Sequence, residues 1–120
     1  MKRILIADDE RMLRKALSKV LSREGYDILV AADGAEAVEL YREHGASIGL
    51  VILDMNMPVL DGPGAFAGIR SLSPSARIVM ATGESASDVW PRFGEDKPLG
   101  ILQKPFSLGA LVGHVESFMD

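Results

Sequence analysis

Apolar residues fall along this chain in two alternating rhythms. Short runs of strand length, RILIA (3–7), DILVAA (27–32), GLVILD (49–54), RIVMAT (77–82) and GILQ (100–103), are almost continuously apolar. Between them the spacing widens to helical intervals. Met12, Leu13, Ala16, Leu17, Val20 and Leu21 share one face of a helix that runs to Gly25, a residue suited to the position just past a helix end. Ala37, Val38 and Tyr41 mark a second helix, opened by Asp33-Gly34 and closed by Gly45. Phe66 and Ile69 give the inner face of a third, with Pro63 near its first position, where a missing N–H costs nothing. Ser107 caps a last helix carrying Leu108, Leu111, Val112, Val115 and Met119.

Strands that are apolar throughout and alternate with helices predict an α/β fold, a parallel sheet covered on both faces. In such open sheets ligands bind outside the carboxyl ends of the strands. Here the first strand runs into Asp8-Asp9, the third ends on Asp54, the fourth on Thr82 and the fifth leads to Lys104-Pro105, while the second ends on Ala31-Ala32. Each has an ordinary explanation alone: a helix cap, a β-former, a surface charge. Their convergence on one edge does not.

A carboxylate closing a buried strand costs stability unless something pairs with it or uses it. Clustered carboxylates repel one another unless a cation intervenes. An all-oxygen set without nearby His or Cys suits a hard divalent ion, and Mg²⁺, which shares its coordination with phosphate, fits best. With a Lys104 ammonium and a Thr82 hydroxyl beside it, Asp54 is placed to act as a nucleophile toward a phosphoryl group.

Composition narrows the class. With 120 residues, 48% hydrophobic and 25% charged, the chain has the size and make-up of one globular domain over residues 1–120. It has no cysteine, hence no disulfide frame and no thiolate chemistry, which is compatible with a cytoplasmic protein. No run approaches the roughly 20 apolar residues of a membrane helix. The opening MKRILIADDE runs into aspartates rather than a cleavage site, so no signal peptide and no membrane insertion are expected. The net charge is −4 and the basic residues look scattered, which argues against direct nucleic-acid binding.

The acidic pair Asp8-Asp9, the central Asp54, Thr82 and Lys104-Pro105, together with DMNMPVLDG (54–62), closely resemble the receiver domains of two-component response regulators over the whole chain. The resemblance implies a doubly wound, flavodoxin-like five-stranded sheet of order 2-1-3-4-5. It implies a phosphoacceptor rather than a turnover enzyme: Asp54 takes a phosphoryl group from a phosphohistidine on a sensor histidine kinase or a histidine phosphotransfer protein. Asp9, Asp54 and the main-chain carbonyl of Asn56 hold Mg²⁺, and Asp8 acts through a bound water. Lys104 and Thr82 meet phosphoryl oxygens, and Pro105 follows a cis peptide bond. Asn56 and Glu84, two residues after Asp54 and Thr82, would flank the entry to the phosphoryl group and could tune the hydrolytic water; the alternative reading is ordinary loop polars.

Two departures from the family pattern stand out. The switch aromatic three residues before the lysine is replaced by Ile101, which has no phenol and favours staying buried. Pro91 falls within ESASDVWPRFGEDKPLG (84–100), the family's fourth helix, where an interior proline costs about 3 kcal/mol. The expectation is a short, broken or displaced helix with irregular chain after it. The family's usual symmetric dimer, which uses that helix with strand five and the last helix, is therefore not assumed. LQKPF (102–106) behind a proline-broken segment looks more like receivers attached to hybrid sensor kinases than like those of DNA-binding regulators.

Two rival functions remain. An aspartate-nucleophile phosphatase of the haloacid dehalogenase type needs a second Asp where Asn56 stands, and amide cannot exchange a proton. A degenerate receiver acting as a phosphate-independent module would use Ile101 and Pro91 but has no need of the complete acid, Thr and Lys set. Trp90, Met55 and Met57 read as packing residues, and His44 and His114 as surface residues of their helices.

Overall fold

The computed structural model describes residues 2–119. Its sheet has five parallel strands in the order β2-β1-β3-β4-β5: β1 (Arg3–Ala7), β2 (Asp27–Ala31), β3 (Ile48–Asp54), β4 (Ile78–Thr82) and β5 (Gly100–Gln103). The apolar runs end within a residue of the expected limits. Side chains of a strand point alternately to opposite faces, so each strand supplies two cores. Ile4, Ile6, Leu50, Ile52, Val79 and Ala81 meet α1 (Arg11–Arg23) and α5 (Leu108–Met119) through Leu17, Leu21, Leu111 and Val115. Leu5, Ala7, Val51, Leu53, Ile78 and Met80 face the other way. There they meet α2 (Gly34–His44) and α3 (Gly62–Leu72) through Ala37, Tyr41, Ala65, Phe66 and Ile69.

The helix ends follow local chemistry. Asp33 caps α2 by accepting from the Glu36 N–H at 2.8 Å, and Asp61 caps α3 by accepting from the Gly64 N–H at 2.8 Å. Ser107 Oγ accepts from Ala110 N–H at 3.0 Å at the start of α5. Gly25, at φ 94°, ends α1 in a conformation only glycine adopts without strain. Gly45 closes α2 as its C-cap, as expected, but at a right-handed φ of −51°, and it carries the chain into a 3-10 turn, Gly45–Ser47, before β3.

The proline-bearing segment is short and broken. The fourth helix, α4, is only Ala86–Val89, and Trp90–Arg92 tighten into a 3-10 turn around Pro91. Residues 93–99 have no regular structure yet are anchored. The Phe93 ring meets Phe66 edge-on at 5.0 Å, and Arg70, stacked on Phe66 at 4.7 Å, pairs with Asp96. Among the described residues no helix is long and apolar enough to cross a membrane.

Candidate functional site

Strand ends gather the chemistry at one edge of the sheet. Asp8, Asp54 and Thr82 are buried polar residues in surroundings that are otherwise apolar, with 3%, 7% and 0% of their surface exposed. β1 and β4 flank β3 directly, and Asp54 lies in register with Ala81, so Asp8 and Thr82 stand on either side of it. Lys104 arrives from beyond β5, its main-chain N–H donating to the Thr82 carbonyl at 2.6 Å. The Lys104–Pro105 peptide is cis. The Lys104 Nζ donates to Asp8 Oδ2 at 2.9 Å and to Asp54 Oδ1 at 3.4 Å.

One ammonium among three carboxylates leaves the site negative. Burial, and then the charge of Asp8, hold the Asp54 carboxyl above its ordinary value, against the opposing pull of Lys104. Burial pulls Lys104 the other way, but its bond to Asp8 and the charges of Asp8 and Asp54 outweigh this and raise it. Lys104 is thus a firm cation, and the charged form of Asp54 is held at a cost in its surroundings.

Asp8, Asp9 and Asp54 each direct an oxygen to a common place, the three lying within 4.8 Å of one another. That donor set, oxygen only and rich in negative charge, fits a hard divalent cation such as Mg²⁺. Asp9 is exposed and open to the solvent side, whereas Asp8 is already engaged: its Oδ1 accepts from the Glu10 N–H at 2.8 Å and its Oδ2 from Lys104.

Thr82 Oγ1 accepts from the Glu84 N–H at 3.0 Å, which ties the buried hydroxyl to the loop after β4. Asn56 is exposed in the loop after Asp54, between buried Met55 and Met57. Ile101 is half-buried and packs against the core on the α2–α3 side. His44 ends α2, and exposed His114 stacks on Phe118 at 6.4 Å, away from the strand-end cluster.

Three features of the site went unread in the sequence. The first is Gly62: a Cβ there would sit 2.4 Å from the Asp54 carbonyl oxygen and 2.7 Å from Met55 Cα, so only glycine lets α3 start against the loop. Its N–H donates to the Met55 carbonyl at 3.0 Å. The DG pair was the available signal. The second is Val59, which is 83% exposed at φ 67°, a backbone a β-branched residue seldom accepts. The third is Arg92, which holds Glu84 through both guanidinium nitrogens, at 2.9 and 2.5 Å.

The expectation of scattered basic residues is overturned on α1. Arg11, Arg14, Lys15, Lys19 and Arg23, five of the chain's 13 basic residues, lie on this one helix, which has no acid. Arg11, Arg14, Lys15 and Lys19 line a groove of about 440 Å³ with Ser18, Ser22 and Val30. Helical spacing, not sequence proximity, collects them.

Comparison with known proteins agrees with the geometry. The family model described as "Response regulator receiver domain" matches residues 4–116. The response regulator receiver protein CpdR of Brucella abortus is 33% identical, covering 99% of this chain and 98% of its own length. The sensor kinase CckA of the same organism is 30% identical over 98% of this chain, which spans only 12% of that kinase. Among solved structures, CheY in the CheX-CheY-BeF3-Mg+2 complex of Borrelia burgdorferi superposes with a TM-score of 0.90 at 28% identity, covering 98% of this chain and 89% of that one.

Proposed function

The chain belongs to the response regulator receiver domain family of two-component signalling, and on that premise we propose that it takes a phosphoryl group from a partner phosphohistidine onto Asp54. The observation that carries this reading is the buried Asp54 carboxylate at a strand end, with Lys104 at 3.4 Å and its own affinity for a proton raised by its surroundings. An Asp54 oxygen attacks phosphorus while the histidine nitrogen–phosphorus bond breaks, and its electron pair stays on the imidazole. Charge builds on the equatorial oxygens of the phosphoryl group. Lys104 is placed to meet one of them, and Thr82, once its hydroxyl turns from the Glu84 N–H, to meet another. Asp8, Asp9, Asp54 and the Asn56 carbonyl would hold Mg²⁺, which when bound offsets the negative charge of both the carboxylates and the phosphoryl oxygens.

On this reading residues 1–120 form one receiver domain acting in the cytoplasm, and it is a phosphoacceptor that promotes only its own phosphorylation and dephosphorylation. Its partner is a sensor histidine kinase or a histidine phosphotransfer protein. Similarity to both a receiver protein of its own length and a segment of a sensor kinase supports that partner class. Ile101 carries no phenol and α4 is a single turn, so neither the family's usual aromatic switch nor its usual symmetric dimer is assumed for the output.

Intact mass after incubation with acetyl phosphate tests the reading. The expected result is one phosphoryl adduct that requires Mg²⁺ and is absent from Asp54→Ala. A chain that takes no adduct and also fails to bind beryllofluoride would instead be a phosphate-independent module.

A further inference from the structure

The salt bridge between Arg92 and Glu84 gives the broken fourth helix a role, an inference that rests on the phosphoacceptor reading. β4 ends at Thr82 beside Asp54, and Glu84 follows two residues later at the same sheet edge. Before phosphorylation its N–H donates to Thr82 Oγ1 at 3.0 Å. Its carboxylate is fixed separately: Arg92 Nη1 donates to Oε2 at 2.9 Å and Nη2 to Oε1 at 2.5 Å. Both carboxylate oxygens are therefore occupied by one guanidinium.

Arg92 lies eight residues past Glu84, at the end of the 3-10 turn Trp90–Arg92 that follows α4. Phe93, seated edge-on against Phe66 at 5.0 Å, then holds the turn in place. The pairing is mutual: bonding to Arg92 lowers the Glu84 carboxyl below its usual range and raises Arg92.

We propose that Arg92 is a positioning residue that withholds the Glu84 carboxylate from water approaching Asp54, and so sets the lifetime of the aspartyl phosphate. Hydrolysis forms a bond from water oxygen to phosphorus, breaks the bond from phosphorus to the Asp54 oxygen and returns that electron pair to the Asp54 carboxylate. The attacking water must shed a proton, which a free Glu84 carboxylate accepts and then passes to the departing inorganic phosphate. A carboxylate with both oxygens bound to Arg92 accepts it poorly.

The test is the decay of the phosphoryl adduct after acetyl phosphate is removed, followed by intact mass in four proteins: wild type, Arg92→Ala, Arg92→Lys and Arg92→Ala combined with Glu84→Gln. Arg92→Ala is expected to shorten the half-life roughly two- to fivefold, the factor by which an exposed ion pair of ordinary strength restrains its partner. Arg92→Lys should restore most of the lifetime, and the combined variant should lose the acceleration, since an amide takes no proton. A half-life unchanged or lengthened in Arg92→Ala, or shortened equally without Glu84, overturns the proposal. Failure of wild type to take any adduct overturns the phosphoacceptor reading itself, and this inference with it.

Discussion

At the scale of residues, Asp54 carries a cost that function explains. Its carboxyl ionises at about 3.8 in an unfolded chain and higher in the fold, chiefly through burial and the charge of Asp8. Between those values the native state holds more protons than the unfolded one, so stability falls as pH rises through that window and remains lowered at pH 7. Asp54→Asn, without divalent ions, is therefore expected to show a higher urea midpoint than wild type at pH 7. The gain should shrink as pH falls below the window. A lower midpoint at pH 7 would mean that the pairing with Lys104 outweighs burial and repulsion. Val59 carries a second local cost. At φ 67° and 83% exposed, it has little packing to lose. Val59→Asn should stabilise by about 1 kcal/mol in urea denaturation, since a left-handed backbone costs an ordinary residue that much or more.

At the scale of elements, the proline-broken segment is held by side chains instead of by helical periodicity. Phe93 is 6% exposed and contacts Phe66, so Phe93→Ala should cost about 3 kcal/mol in denaturant unfolding and speed amide exchange across residues 86–97. A loss below about 1 kcal/mol would mean the segment is not anchored there. The interruption itself was legible, because Pro91 cannot donate within a helix, although Trp90 before it stays right-handed helical, at φ −49° and ψ −44°, against the bias a following proline imposes. The anchoring was not. Phe93 on Phe66, Arg70 to Asp96 and Arg92 to Glu84 link positions with no shared period, and nothing short of the folded chain brings them together. The same limit explains α1. Its cations are separated in sequence by the apolar residues of its inner face and become a single positive surface only when wound on a helix.

At the scale of the whole molecule, the sheet does most of the work of building the site. The chemistry of strand ends was readable because apolar runs stop abruptly on Asp8, Asp54 and Thr82, and parallel strands put those stops on one edge, whereas the strand order came from the family resemblance. Gly62 was less readable, since its need for a missing Cβ arises from α3 starting against the Asp54 carbonyl. The finished edge has more carboxylate than ammonium, with three acids within 4.8 Å of one another. Mg²⁺ at tenfold excess over its dissociation constant should therefore add about 1.4 kcal/mol of stability. That is a rise of about 5–6 °C in thermal midpoint for a domain of this size. Asp9→Asn and Asp54→Asn should each lose most of that rise, and an equal rise in all three proteins would place the ion elsewhere.

The central claim is that Asp54 itself becomes the acyl phosphate, and borohydride trapping tests it most directly. The chain would be treated with acetyl phosphate and Mg²⁺, reduced, digested and sequenced by mass. The account predicts reduction of the side chain at residue 54 to an alcohol, dependent on both reagents, with Asp8 and Asp9 untouched. Reduction at Asp8 or Asp9, or at no residue while an adduct is present in the intact mass, would contradict it.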